Sequence, residues 1–418
     1  MVTRTARKPP KIVLHVGEPK TGTTFLQRVL FHNADVLLEQ GLLIPGVSPL
    51  HHWRATQDLR EVVQRPNDPL GPFAGAWNVV VREALKAPRV GVVSHELLSS
   101  VTSEQAAKAV RSFGSAEVHI VVTVRDFGSL LPAEWQETIK HRNSREWEDW
   151  LTDVLDHEAA APDRDEFWFW KVHDTLEVLR RWSALVPAER VHVITVPPRG
   201  SSPTLLWERF AALLGVDPTS VDLEVGRANV SLSLAEIELV RRINAQLPES
   251  LPGWFYMWHV KEALAHQAFA DRPKTGGRLV LPDSRDEWVH KHAESVISDL
   301  RASGYDLVGD LDELVPRPPT GHRASPDDVV APDVADAGVD AIIKLLRDLA
   351  VLVGIDPEVV SVESRDEIPP PPTGVVARVK AALIDYSRKH EWAHRLRHRY
   401  WRAVNANRRR RRRAEQSG

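Results

Sequence analysis

Along the chain, short β-branched runs alternate with stretches in which apolar residues recur every three or four positions. Residues 11–16 form such a run, closed by Gly17, and after a loop Leu26, Val29 and Leu30 fall at helical spacing, which predicts strand, loop and helix. The rhythm returns at residues 90–94, with Thr102 and Gln105 as a capping-box pair for a helix through Phe113 that Gly114 would end. Residues 118–124 are nearly continuous in Val and Ile, the composition of a central strand buried on both faces of a parallel sheet. A strand at 191–196 leads to a helix with Ser202 as cap, Pro203 in its first turn and Gly215 past its end; Ser233 and Glu236 start another. This alternation predicts a doubly wound, mostly parallel α/β sheet with its ligand site at the carboxyl ends of the strands.

Composition narrows the function classes. The 418 residues carry 54 Lys and Arg against 57 Asp and Glu, a net charge of -3 that argues against a nucleic-acid binder over the whole surface, and no sequence-specific nucleic-acid partner is expected. With no cysteine, disulfides, thiolate metal sites and cysteine nucleophiles are excluded. The N-terminal stretch has no apolar signal core and no later run is long enough to span a bilayer, so a cytoplasmic location is expected.

The informative loop is Gly17-Glu18-Pro19-Lys20-Thr21-Gly22-Thr23-Thr24, between predicted strand and helix, where backbone N–H groups and the helix dipole are placed to hold an anion. Its two glycines have the spacing of the nucleotide-triphosphate P-loop. That motif, however, needs Lys directly after the second glycine; here Thr23 stands there and the lysine is Lys20. The bland alternative is a Gly/Thr turn with a solvated lysine, which does not account for strand, loop, lysine and helix falling in order.

The arrangement PKTGTT resembles the 5'-phosphosulfate loop of sulfotransferases that use 3'-phosphoadenosine 5'-phosphosulfate, and HVGEPKTGTTFLQ followed by NADVLLEQGLLIPG resembles their bacterial branch. The resemblance implies that Lys20 contacts the phosphosulfate bridge, while Pro19, Thr21, Gly22, Thr23 and Thr24 complete a cradle for the 5'-phosphate. It also implies a 3'-phosphate contact at Arg125, just past the strongest strand. There the family commonly has a serine eight residues on, and its bacterial members often an arginine between; this chain has Ala133 and Ser129. Ser129, one helical turn from Arg125, is the candidate to compensate. Arg227, in an Arg-x-Asn-x-Ser-Leu stretch, is a third phosphate candidate, with an ordinary helix start as its alternative.

Transfer to a hydroxyl or amine needs a proton acceptor. Glu96 and His95 leave a strand end between the two phosphate motifs, and the resemblance favours Glu96. No Asp, Glu and His cluster has metal-ligand spacing, so no metal is expected. Aromatic groups at 167–170 and at 254–258 are read as packing rather than as an acceptor pocket. The resemblance places a sulfotransferase catalytic domain at 11–314, after a disordered 1–10. A linker with a short helical segment follows at 315–374, and 375–418 form a basic amphipathic helix ending in six arginines, a candidate for an anionic membrane surface or a protein partner. The competing functions are a non-catalytic sulfotransferase-like binding protein and a P-loop small-molecule kinase; the acceptor is left open as carbohydrate, glycolipid or small metabolite.

Overall fold

A computed structural model describes residues 9–63, 72–156, 165–224, 232–269, 279–318 and 324–352. The Arg227 stretch and the basic extension lie outside them. Six strands, β1 (Lys11–Gly17), β2 (Leu42–Leu43), β3 (Val90–Ser94), β4 (Glu117–Val124), β5 (Val191–Thr195) and β6 (Asp306–Val308), form one sheet in the order β2-β3-β1-β4-β5-β6. Every pairing is parallel. The protein is therefore α/β, with β1 and β4 at the centre, where the continuous apolar runs require burial on both faces.

Alternation along each strand sorts side chains between two apolar layers. Ile12, Leu14, Val16, Val118, Ile120, Val122 and Val124 face the layer built with the helices Ala76–Ala84, Ser103–Arg111 and Thr175–Ser183. Val13, Val121 and Ile194 face the opposite layer, with the helices Thr23–His32 and Leu205–Leu214. A third apolar cluster lies among the helices Phe127–Lys140, Trp147–Leu155 and Leu234–Gln246, centred on Trp135, Trp147 and Trp150. Because all strands are parallel, the loops after β1, β3, β4 and β5 leave from one edge of the sheet.

Both expected capping boxes form, Thr102 with Gln105 and Ser233 with Glu236. The first of these helices stops at Arg111, two residues short of Phe113, because the chain tightens into i to i+3 turns before Gly114 at φ 60°. The helix after β5 corrects its expected start. It is capped by Thr204, not Ser202, because a turn from Ser202 O to Leu205 N (3.2 Å) holds Pro203 outside it.

The described residues up to 345 belong to one compact unit. Within it, packing continues past Leu314: Ala324, Val334, Ala337 and Ala341 are buried, the last three on a 22-residue helix, Ala331–Leu352. This helix falls within the 315–374 stretch for which the sequence predicts a short helical segment. Among the described residues, no helix is long and apolar enough to cross a membrane.

Gly17 closes β1 at φ +88°, and a Cβ there would stand 2.7 Å from the Glu96 Cα. Gly17→Ala should therefore lower stability by roughly 2–4 kcal/mol, from left-handed strain plus a backbone clash, read as a lower urea midpoint.

Candidate active site

The loop after β1 is shaped by three positive-φ residues, Gly17, Lys20 (φ 60°) and Gly22 (φ 86°). A left-handed lysine is uncommon and costs on the order of 1 kcal/mol or more, so the surrounding contacts must hold it. Thr21 is the brace. Its buried hydroxyl donates to the Glu18 carbonyl (2.5 Å) and meets the Thr123 hydroxyl (2.6 Å), so only its backbone faces a ligand role. Gly22 caps the helix Thr23–His32 without a side-chain hydrogen bond, and the first donor into that helix is Leu26 N to Gly22 O at 3.1 Å. Its first-turn N–H groups, including those of Thr23 and Thr24, are thus placed for an anion beyond Pro19 and Lys20.

Arg125 comes from the end of β4, and its Nη1 donates to the Lys20 carbonyl at 3.2 Å, joining the two motifs that are 105 residues apart in sequence. Burial lowers its pKa, Asp126 opposes this, and Arg199 from the loop after β5 adds to the lowering. Asp126 caps the following helix, its Oδ1 accepting from Ser129 N at 2.8 Å. Arg199 also lines a pocket of about 310 Å³ with Phe25, Pro197, Leu206 and Leu223 as apolar wall and Ser201, Ser202 and Thr204 as polar wall. Its sequence signal was a Pro-Arg-Gly-Ser turn directly after a strand, at the edge where ligands bind.

His95 and Glu96 leave the end of β3. The Glu96 backbone sits against Gly17, and its Oε2 accepts from Gln27 Nε2 at 3.0 Å. Burial pushes the Glu96 pKa up, but His95, Gln27 and Lys20 outweigh it and hold the carboxylate below its usual range. His95 Nδ1 accepts from Leu97 N at 3.1 Å, so the neutral ring carries its proton on Nε2 and has no spare lone pair.

Of the acids around Lys20, the sequence points to Glu96 but not to Glu137 or Glu134. Lys20 Nζ lies 2.5 Å from Glu137 Oε2, and although burial disfavours its charge, Glu137, Glu134 and Glu96 hold its pKa above the ordinary value. Glu137 also takes Lys261 at 2.8 Å and stands 3.6 Å from Lys140. One turn back, Glu134 faces His173 Nε2 at 3.5 Å, while His173 Nδ1 faces Glu18 at 3.7 Å; all three side chains are buried. The spacing 134, 137, 140 and 141 does mark one polar helix face in the sequence, but nothing there says what that face meets.

Packing explains only part of the aromatic groups. Phe169 and Tyr256 are buried, as is Trp182, and the Trp170 indole donates to the Val154 carbonyl at 2.6 Å. Trp254, Phe255 and Trp258 are instead exposed. Among the described residues, no three His, Asp or Glu side chains converge as a metal site requires.

No family model and no curated protein matches the chain. Among solved structures it is similar to a sulfotransferase from Alicyclobacillus acidocaldarius, at 16% identity and a TM-score of 0.34, over 57% of this chain and 94% of that one. A likeness that remote assigns nothing to this chain.

Proposed function

We propose that the protein is a sulfotransferase that moves a sulfuryl group from 3'-phosphoadenosine 5'-phosphosulfate to a hydroxyl or amine of an acceptor. The observation that carries this reading is the convergence of Lys20, Arg125 and Glu96 on one loop that ends at a helix N-terminus without a side-chain cap. The donor's chemistry fits the residues present. The open N–H groups of residues 23 and 24 suit a 5'-phosphate, and Arg125 and Arg199, with Ser129 nearby in sequence, suit a 3'-phosphate. The pocket with Phe25 and Leu206 as walls suits a purine.

Glu96, held ionised, takes the proton from the acceptor as the new oxygen–sulfur or nitrogen–sulfur bond forms. The sulfur–oxygen bond to the 5'-phosphate breaks, and its electron pair stays on the phosphate. Lys20 neutralises the charge that develops there. To do so its ammonium must exchange Glu137 for the donor. His95, its Nδ1 engaged with Leu97, serves to hold the turn that presents Glu96.

Calorimetric titration with 3'-phosphoadenosine 5'-phosphate and, separately, with ATP and magnesium tests the reading without an acceptor. Selective binding of the 3'-phosphorylated nucleotide, weakened about 10–100-fold in Arg125→Ala as loss of a charged phosphate contact implies, supports it. Binding of ATP with magnesium alone makes the protein a kinase; binding of neither makes it a non-catalytic relative.

A further inference from the structure

Three ammonium groups crowd one carboxylate beside the proposed transfer site. Around Glu137 stand Lys20 at 2.5 Å, Lys261 at 2.8 Å and Lys140 at 3.6 Å. Lys140 and Lys261 are far from the solvated lysines of an ordinary helix face, with side chains 11% and 16% exposed. Withdrawing lysine charge from water is costly unless an anion compensates it. Glu137 can neutralise one of the three.

Glu134 and Glu96 also support the charge of Lys20. They do not relieve Lys140, whose pKa burial lowers, with Lys20 and Lys261 adding to the lowering, despite Glu137. Glu262 is bonded to Gln267. His141 adds no negative charge: its Nδ1–H donates to the Glu137 carbonyl at 2.9 Å and its Nε2 accepts from Lys261 at 2.7 Å, a neutral tautomer that aims the Lys261 ammonium. When Lys20 turns to the donor, Lys140 and Lys261 still outnumber Glu137.

We propose that Lys140 and Lys261 form an anion subsite next to Lys20 that recognises a carboxylate or sulfate carried by the acceptor, so that the preferred acceptors are anionic compounds. This rests on the donor reading above. It makes Lys140 and Lys261 specificity residues and His141 the positioning residue for Lys261.

The test uses the full chain, radiolabelled donor and matched acceptor pairs. These are 4-nitrophenyl β-glucuronide against the β-glucoside, oligosaccharides of glucuronic acid and N-acetylglucosamine against their carboxyl-reduced forms, and each reduced form after chemical sulfation. The expected result is that an anionic member is labelled with a kcat/KM at least about tenfold above its neutral partner, the scale of one charge-assisted contact. Lys140→Gln and Lys261→Gln should each raise KM for it about tenfold, Lys261→Arg should restore most of it, and the Kd for 3'-phosphoadenosine 5'-phosphate should stay within about twofold.

Equal or better use of the neutral partners overturns the proposal, and that comparison needs only the wild type. So does failure of every anionic member while the nucleotide still binds, which leaves the donor reading intact. An equal loss of nucleotide binding in the Gln variants assigns the lysines to the donor and also overturns it. If the wild type does not bind the nucleotide, the donor reading falls and takes this inference with it.

Discussion

Replacing Lys20 by methionine is expected to lower the proposed sulfuryl transfer by about 10²–10³-fold while the fold is kept, because one preorganised charge at the departing phosphate is worth that much in a water-poor site. Methionine keeps the length of the side chain and removes its charge. Labelled-donor turnover measures the rate, and calorimetry with 3'-phosphoadenosine 5'-phosphate measures the ground state. The drop in rate should exceed the loss of nucleotide affinity, since the charge on the phosphate is greatest as the sulfur–oxygen bond breaks. An equal fall in both would make Lys20 a binding residue only. No fall in either would remove the loop from the chemistry. Stability should change little, because Lys20 is about one quarter exposed and Glu137 keeps Lys261 as partner.

The second large effect is on stability and comes from His173. Its two ring nitrogens face Glu134 and Glu18 at 3.5 and 3.7 Å, ion-pair distances, and only the doubly protonated ring presents a proton to each. Burial disfavours that charge, but the two carboxylates outweigh it and raise the His173 pKa to about 9. A folded pKa above the unfolded 6.5 means stabilisation that is fully present below pH 6.5 and is lost as pH rises through 9. The loss is on the order of 3 kcal/mol, seen as a falling Tm between those limits. His173→Ala leaves two buried carboxylates facing each other and should cost about 3–5 kcal/mol at pH 7. It should also abolish the alkaline fall in Tm, and a variant that kept that fall would exclude His173 as its source.

The two effects are connected through the chain. Glu18 lies two residues before Lys20, and Glu134 lies one helical turn before Glu137. The imidazolium of His173 therefore ties the loop of the proposed chemistry to the helix whose next turn holds Lys20. Buried ionic groups often contribute more to a unique arrangement than to net stability, and placing one ammonium beside a reacting bond is such a task.

The sequence by itself determined what depends on local pattern. The central strands declare themselves as β-branched runs because both faces of a parallel sheet exclude water, so β1, β3, β4 and β5 lie where the runs are. Gly17 and Gly22 could be read as turn residues, and the parallel order then required Lys20, Glu96 and Arg125 to meet at one edge. The tertiary structure alone decided which charges surround them. Glu137, Glu134, His173 and Lys261 come from helices separated from Lys20 by 114 residues or more, and a helix face of alternating acids and bases looks the same in sequence whether it meets water or an active site. Short edge strands such as Leu42–Leu43 and Asp306–Val308 were equally hidden, since two or three residues carry no period and are set by the neighbour they pair with.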